Sequence, residues 1–223
     1  MKKGTKVMLT LDISQIDDEN GFKEKDEKLA LANKLLLSLG EFAEEKRELR
    51  KKIADLQYDL HKDELTGCYN RKWLYQNYLS DNQTFKTEGY MVIVDLDNFK
   101  AINDTYGHIV GDDALRFISN QLMHLDIDKE YKRHVVRLGG DEFCIILEGC
   151  SGDNCFLDIS KKIKSLRGKI LKKHFVTNDG YLIKVGFSYG IAVFKKSSLF
   201  EEIVAIADKN MYENKILNKK SSL

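Results

Sequence analysis

The sequence predicts an α/β fold, a mixed-direction central sheet flanked by helices, carried behind a long N-terminal coiled-coil helix. Three observations predict it. Apolar residues recur at alternating steps of four and three from Leu35 to Leu60, which is the 3.5-residue period of a coiled-coil seam. Further on, short apolar runs suited to strands alternate with stretches of helical period. Finally, Arg137-Leu138-Gly139-Gly140-Asp141-Glu142-Phe143 sets a glycine pair between two apolar runs. That reads as the tip of an antiparallel hairpin, so the sheet cannot be wholly parallel.

Taken in order, residues 1–21 mix Lys-rich, apolar and acidic pieces without a sustained period and read as a short strand or a loose tail. Residues 22–62 form a helical stalk. Its seam is Leu35, Leu39, Phe42, Lys46, Leu49, Ile53, Leu56 and Leu60, interrupted only by Lys46, and the flanking positions are charged. A narrow apolar stripe in such surroundings favours a coiled coil over one amphipathic helix docked on its own domain. Residues 63–223 form the domain. A break at 63–67 leads into a helix over about 71–79. Tyr90 to Leu96 is a continuous apolar run, suited to a strand covered on both faces. Helices follow near 98–105 and 111–124, hairpin strands at 135–138 and 143–147, and a helix over 153–173. A strand over 181–194, bent at Gly186 or Gly190, precedes a closing helix over 199–217. No proline occurs anywhere in the chain.

Composition bounds the function. With 223 residues, 43% of them hydrophobic, the chain can bury a full core. Its 36 basic and 35 acidic residues balance, so there is no general electrostatic case for nucleic acid or a membrane surface. No apolar stretch is long enough for a membrane span and no signal-peptide pattern is present, so the expected location is cytoplasmic. The four cysteines, Cys68, Cys144, Cys150 and Cys155, show no CxxC spacing, and reduced thiols are expected.

The residues that carry chemistry are acidic. Asp95 and Asp97 alternate with Leu96 at a strand end, so both carboxylates are expected on one side. They repel unless a cation or a base lies between them. Hard divalent cations take oxygen ligands, and Mg²⁺ typically binds one or two carboxylates plus substrate phosphates. An acidic turn capping the next helix is the plainer reading of Asp95 and Asp97 alone. The hairpin adds Asp141 and Glu142 just past Gly139 and Gly140, where the backbone has room for a triphosphate. Lys100 stands where a cation would face phosphate. His108 lies in a glycine-flanked connection and reads as a structural hydrogen bonder. Asp112 is either an N-cap or an acceptor for a purine edge.

Read together, Asp63-Glu64-Leu65-Thr66-Gly67-Cys68-Tyr69-Asn70-Arg71, Asp95 through Asp104, Gly107 through Asp112 and Arg137 through Phe143 resemble the GGDEF family. Ser188-x-Gly190-x-Ala192 and Ala207-Asp208-Lys209-x-Met211-Tyr212-x-x-Lys215 extend the resemblance, which covers about residues 63–219. These are diguanylate cyclases, which join two GTP molecules into cyclic di-GMP. The resemblance implies a palm-like nucleotidyl-cyclase fold and two Mg²⁺ ions per active site, with Mn²⁺ an admissible substitute. It implies metal ligation by Asp95, the Leu96 carbonyl, Asp141 and Glu142, and catalytic roles for Asp141, Glu142 and Lys100. Asn103, His108 and Asp112 would line the guanine side. Gly139, Gly140, Lys215 and Lys219 would bind the triphosphate.

Two departures qualify this. Many relatives carry an Arg-x-x-Asp product-inhibition motif upstream of the glycines, whereas this chain has Glu130-Tyr131-Lys132-Arg133, so no inhibition through that site is expected. The closing motif is Asn214-Lys215, where relatives usually have Ala-Lys, and Lys219 stands where they have arginine, without its bidentate fork. The expectation is an active cyclase working as a homodimer through the N-terminal helix. Regulation would come through that helix, the short N-terminal segment or a partner. The alternatives are an inactive GTP-binding or dimerising regulatory module, and a cyclase of relaxed base choice making some cyclic GMP-AMP.

Overall fold

The computed structural model describes residues 19–127, 131–149 and 152–220, with 19–24 and 217–220 described by backbone alone. Of the segment expected over 1–21, residues 1–18 lie outside the described residues. The chain divides into two compact units, Met1–Leu56 and Gln57–Leu223.

Helix α1 (Glu19–His61) is 43 residues long. Every apolar residue of the predicted seam is exposed, from 47% at Ile53 to 71% at Phe42. No helix among the described residues is long and apolar enough to cross a membrane.

The second unit begins with β1 (Tyr69–Asn70), α2 (Arg71–Tyr78), β2 (Gly89–Leu96), α3 (Phe99–Tyr106) and α4 (His108–Met123). The hairpin β3 (Lys132–Gly139) and β4 (Glu142–Glu148) follows, then α5 (Asp153–Leu171), β5 (Phe175–Val176), β6 (Leu182–Ile183), β7 (Phe187–Phe194) and α6 (Phe200–Lys220). Five strands form one sheet in the order β1-β3-β4-β2-β7. Only β1 and β3 run parallel; the other neighbours are antiparallel.

Strand β2 is apolar from Tyr90 to Val94 because both its faces are covered. Tyr90, Val92, Val94 and Leu96 pack with Ile102 of α3, Leu115 and Ile118 of α4, and Ile159 and Ile163 of α5. Met91 and Ile93 pack with Trp73 and Leu74 of α2 and with Ile203 and Ala207 of α6. The period-two alternation of a strand therefore assigns Asp95 to the face covered by α2 and α6. The mixed sheet flanked by helices is the fold class the sequence predicts.

Two expectations change. The strand predicted over 181–194 is two strands, and β6 leaves the main sheet to pair with β5. The break falls at Gly186, where a Cβ would meet Leu171 Cδ2 at 2.8 Å and Asp97 Oδ2 at 3.0 Å, so no larger residue fits without displacement. Two-residue strands such as β1 and β5 carry too few residues to show a period. Among the cysteines, Cys68 and Cys144 are free and buried, but Cys155 is disulfide-bonded, against the expectation of reduced thiols.

Candidate active site

The site is assembled by strand register. Asp95 on β2 lies opposite Glu142 on β4 and opposite Ser188 on β7. The Leu96 N–H donates to the Asp141 carbonyl at 3.4 Å, joining the end of β2 to the hairpin tip. At that tip Gly140 has φ +52°, a left-handed conformation that favours glycine. A Cβ placed on Gly139 or Gly140 would meet nothing within 4 Å, so the tip is open on its outer side. Arg137 braces it from below: its Nε and one guanidinium nitrogen donate to the Gly140 carbonyl at 3.0 and 2.7 Å.

Asp95 near the end of β2 and Asp97 just beyond it part company. Asp95 is engaged by the ammonium of Lys215, which α6 brings onto its face of the sheet. Asp97 accepts from the Ser188 hydroxyl at 2.6 Å, and its other oxygen lies 3.6 Å from the Arg167 guanidinium. Each carboxylate thus has its own basic partner, which answers the repulsion their spacing implies.

Glu142 and Asp208 complete the acidic environment of Asp95. Burial pushes the Glu142 carboxyl above its usual range, and Asp95, Asp208 and Asp141 push it further, while Lys215 pulls it back. Burial likewise raises the Asp208 carboxyl, with Asp95 adding to it and Lys215 opposing. Nothing in the sequence reading made Asp208 a site residue. The signal was present: it precedes Lys215 by seven residues, two helical turns, so both lie on one side of α6.

Among the described residues no three His, Cys, Asp or Glu side chains converge on one metal position. The chemistry of the donors is nonetheless that of a hard-cation site: carboxylates at Asp95, Asp141, Glu142 and Asp208, and no sulfur or imidazole. These residues fit a divalent cation of the Mg²⁺ type by donor chemistry.

A second cluster lies on α3 and α4. The Asn103 Oδ1 is buried without a hydrogen-bond partner. Leaving such a group unpaired is costly, and a ligand donor would satisfy it. Helix α4 passes close enough that a Cβ on Gly111 would meet Asn103 Oδ1 at 1.9 Å. Asp112 is half-buried on α4, whose N-cap is Gly107. The N-cap reading of Asp112 is therefore wrong, because α4 starts four residues before it. Lys100 is exposed in the first turn of α3, and His108 is exposed as the first residue of α4. The side chain of Lys219 lies outside the described residues.

Comparison with known proteins bears on the family and the fold. The family model described as "Diguanylate cyclase, GGDEF domain" matches residues 60–221. Diguanylate cyclase DosC of Escherichia coli K12 is 31% identical over 169 residues, 74% of this chain but 35% of DosC. The chain thus spans about a third of that relative's length. Among solved structures, the coiled coil and GGDEF domain of DgcB from Caulobacter crescentus, in complex with c-di-GMP, superposes with TM-score 0.66 at 22% identity, covering 81% of this chain and 94% of that one. The GGDEF domain of YfiN (TpbB) from Pseudomonas aeruginosa gives TM-score 0.57 at 27% identity, covering 70% and 90%.

Proposed function

Because the chain belongs to the diguanylate cyclase GGDEF family, we propose that it condenses two GTP molecules into cyclic di-GMP with release of two pyrophosphates. The observation that carries this reading is the β2–β4 register opposing Asp95 to Glu142, with Lys215 of α6 brought to the same carboxylate.

In this reading Asp95, the Leu96 carbonyl, Asp141 and Glu142 would hold divalent cations, two Mg²⁺ or Mn²⁺ per site. Such ions polarise the α-phosphate and favour ionisation of a 3′-hydroxyl. The chain's own residues bind and orient. The open Gly139-Gly140 tip lies along the triphosphate. Lys100, Lys215 and Lys219 neutralise it, and Lys215 leaves Asp95 to do so. Asn103 and Asp112 receive the guanine, the orphaned Asn103 oxygen accepting from its exocyclic amine, and His108 borders that pocket. Asp141 or Glu142 takes the hydroxyl proton; burial and the neighbouring acids raise the Glu142 carboxyl, the direction that makes it the better proton acceptor. Most of the rate enhancement comes from positioning and charge neutralisation.

One tip holds half of the reaction, so two copies must face each other. The exposed seam of α1 supports a homodimer in which the stalk raises the local concentration of the two domains. The guanidinium of Arg133 donates to the Met123 carbonyl at 2.6 Å and to the Leu125 carbonyl, closing the end of α4. An arginine held there is not offered to product, which supports the absence of primary-site inhibition. A cytoplasmic location, where GTP is supplied, belongs to the same reading.

The test is turnover of pure protein with GTP and Mg²⁺ across protein concentrations, with product identification. Cyclic di-GMP is expected, at a specific activity that falls on dilution below dimerisation. GTP binding without turnover would instead leave a regulatory nucleotide-binding module. Mixed products from GTP with ATP would show relaxed base choice.

A further inference from the structure

Among the described residues strand β7 is the edge of the main sheet, so the backbone carbonyls it turns away from β2 have no described strand to accept from. Two of them are met by side chains of α6. The Asn214 amide donates to the Tyr189 carbonyl at 3.0 Å, and the Asn210 amide donates to the Ile191 carbonyl at 2.8 Å. Asn214 also donates to the Asn210 carbonyl at 3.0 Å, tying one rung to the next. Four helical residues rise about 6 Å and two strand residues about 6.8 Å. One turn of α6 therefore keeps step with two residues of β7.

Between the rungs the two backbones nearly touch. A Cβ on Gly190 would meet the Ala207 carbonyl oxygen at 1.9 Å and the Met211 nitrogen at 2.6 Å. Apolar packing of Ile203 and Ala207 decides which face of α6 is buried, but it is non-directional and tolerates sliding along the axis. Hydrogen bonds are directional and do not. Lys215, next to the second rung, reaches Asp95, whose register partner Ser188 is next to Tyr189.

We propose that Asn210 and Asn214 are positioning residues: an amide ladder on the edge of β7 that fixes the axial register of α6 and so sets Lys215 at the active site. The catalytic side of this rests on Lys215 serving GTP; the register itself does not. A slip of one residue would move the ammonium about 1.5 Å along the helix axis, a displacement of the size that costs reactions dearly.

Two measurements on the full chain test it. The first is a double-mutant cycle in cyclic di-GMP synthesis. Asn214→Ala lowers kcat/KM about tenfold in the parent chain, and changes it less than about twofold in a Lys215→Met background. Equal losses in both backgrounds overturn the proposal, because Asn214 would then act on stability alone. The second needs no activity. After reductive ¹³C-methylation, the Lys215 dimethylamine resonance, assigned by its loss in Lys215→Arg, is distinct from those of exposed lysines. It moves to their position in Asn214→Ala and further in Asn210→Ala/Asn214→Ala. An unmoved resonance overturns the ladder. Should Asn214→Ala melt too early to study, Asn210→Ala alone is read the same way. If the parent chain makes no cyclic di-GMP, the functional reading fails while the resonance still decides the ladder.

Discussion

Arg137 and Asp63 form a forked ion pair, the guanidinium donating to both carboxylate oxygens at 3.0 and 3.2 Å. The same guanidinium holds the Gly140 carbonyl, so one side chain joins the loop following α1 to the tip of the β3–β4 hairpin. Asp63 is further held by the Thr66 hydroxyl at 2.6 Å and the Thr66 N–H at 3.0 Å. Burial works against its charge, but Thr66 and Arg137 together keep the Asp63 carboxyl below its usual range.

Arg137→Ala is therefore expected to cost about 2 kcal/mol of stability, the scale of a charge-assisted pair lost from a partly buried site. Arg137→Lys should recover little, since an ammonium cannot span both partners. Because the folded pKa of Asp63 is depressed, the pair stabilises above the ordinary carboxylate range. That stability is lost as pH falls through the depressed value. Urea midpoints measured from neutral to acid pH should show the gap between parent and variant closing in acid; a constant gap refutes the pair as its source.

Glu142 predicts the opposite sign. Its folded pKa is raised, so its ionised form destabilises the fold at pH values above the ordinary carboxylate range and is neutral below it. Glu142→Gln should melt higher than the parent at neutral pH without metal, with the difference vanishing in acid, while cyclic di-GMP synthesis falls steeply. A lower melting temperature at neutral pH would contradict the electrostatic account. A residue that costs stability and is required for turnover is what a functional site predicts.

The sequence was most legible where a period or a close spacing carried the information. That α1 is one long helix followed from its sustained 3.5-residue period. The apolar run before Asp95 read as a strand covered on both faces, which β2 is. The Gly139-Gly140 hairpin was visible from its flanking strands. What stayed hidden depends on tertiary register: that Asp95 opposes Glu142, that Asp97 turns to Ser188 and Arg167, and that Asp208 shares the charge environment of Asp95. Gly186 marked the break, but two-residue strands such as β5 show no period, so the pairing of β6 with β5 had no local signature. Asp112 stayed open between an N-cap and a purine acceptor because helix starts are only approximately readable, and the start of α4 at His108 removes the first.

Gly111→Ala tests the guanine side. A Cβ there would meet Asn103 Oδ1 at 1.9 Å, so the amide must turn away. Helix propensity alone favours alanine by about 1 kcal/mol, so a loss of affinity could not be blamed on a weaker helix. The KM for GTP should rise about tenfold with a smaller change in kcat, the pattern of lost ground-state binding. Unchanged kinetics would remove Asn103 from the pocket.

Asp141→Ala should abolish turnover and leave the fold nearly intact. The structural bond at this position is made by the backbone, the Asp141 carbonyl accepting from Leu96, and a partly exposed tip side chain contributes little to packing. Circular dichroism and melting should match the parent while product falls below detection. Retained synthesis would overturn the ligand assignment.

Finally, the stalk. If α1 pairs two copies, Leu49 and Leu56, exposed at 58% and 68% in the single chain, face one another across a seam. Leu49→Asp with Leu56→Asp places like charges in that seam, where coiled coils tolerate few polar residues. The domain itself is untouched, so single-chain GTP binding should persist. What changes is the order of the reaction: within a dimer the two domains react at an effective local concentration set by the stalk, whereas separated ones must meet. Specific activity of the double variant should rise steeply with protein concentration and converge on the parent at high concentration, as sedimentation shows monomers giving way to dimers. A variant that stays dimeric, or keeps a flat specific activity on dilution, would place the pairing surface elsewhere on the chain.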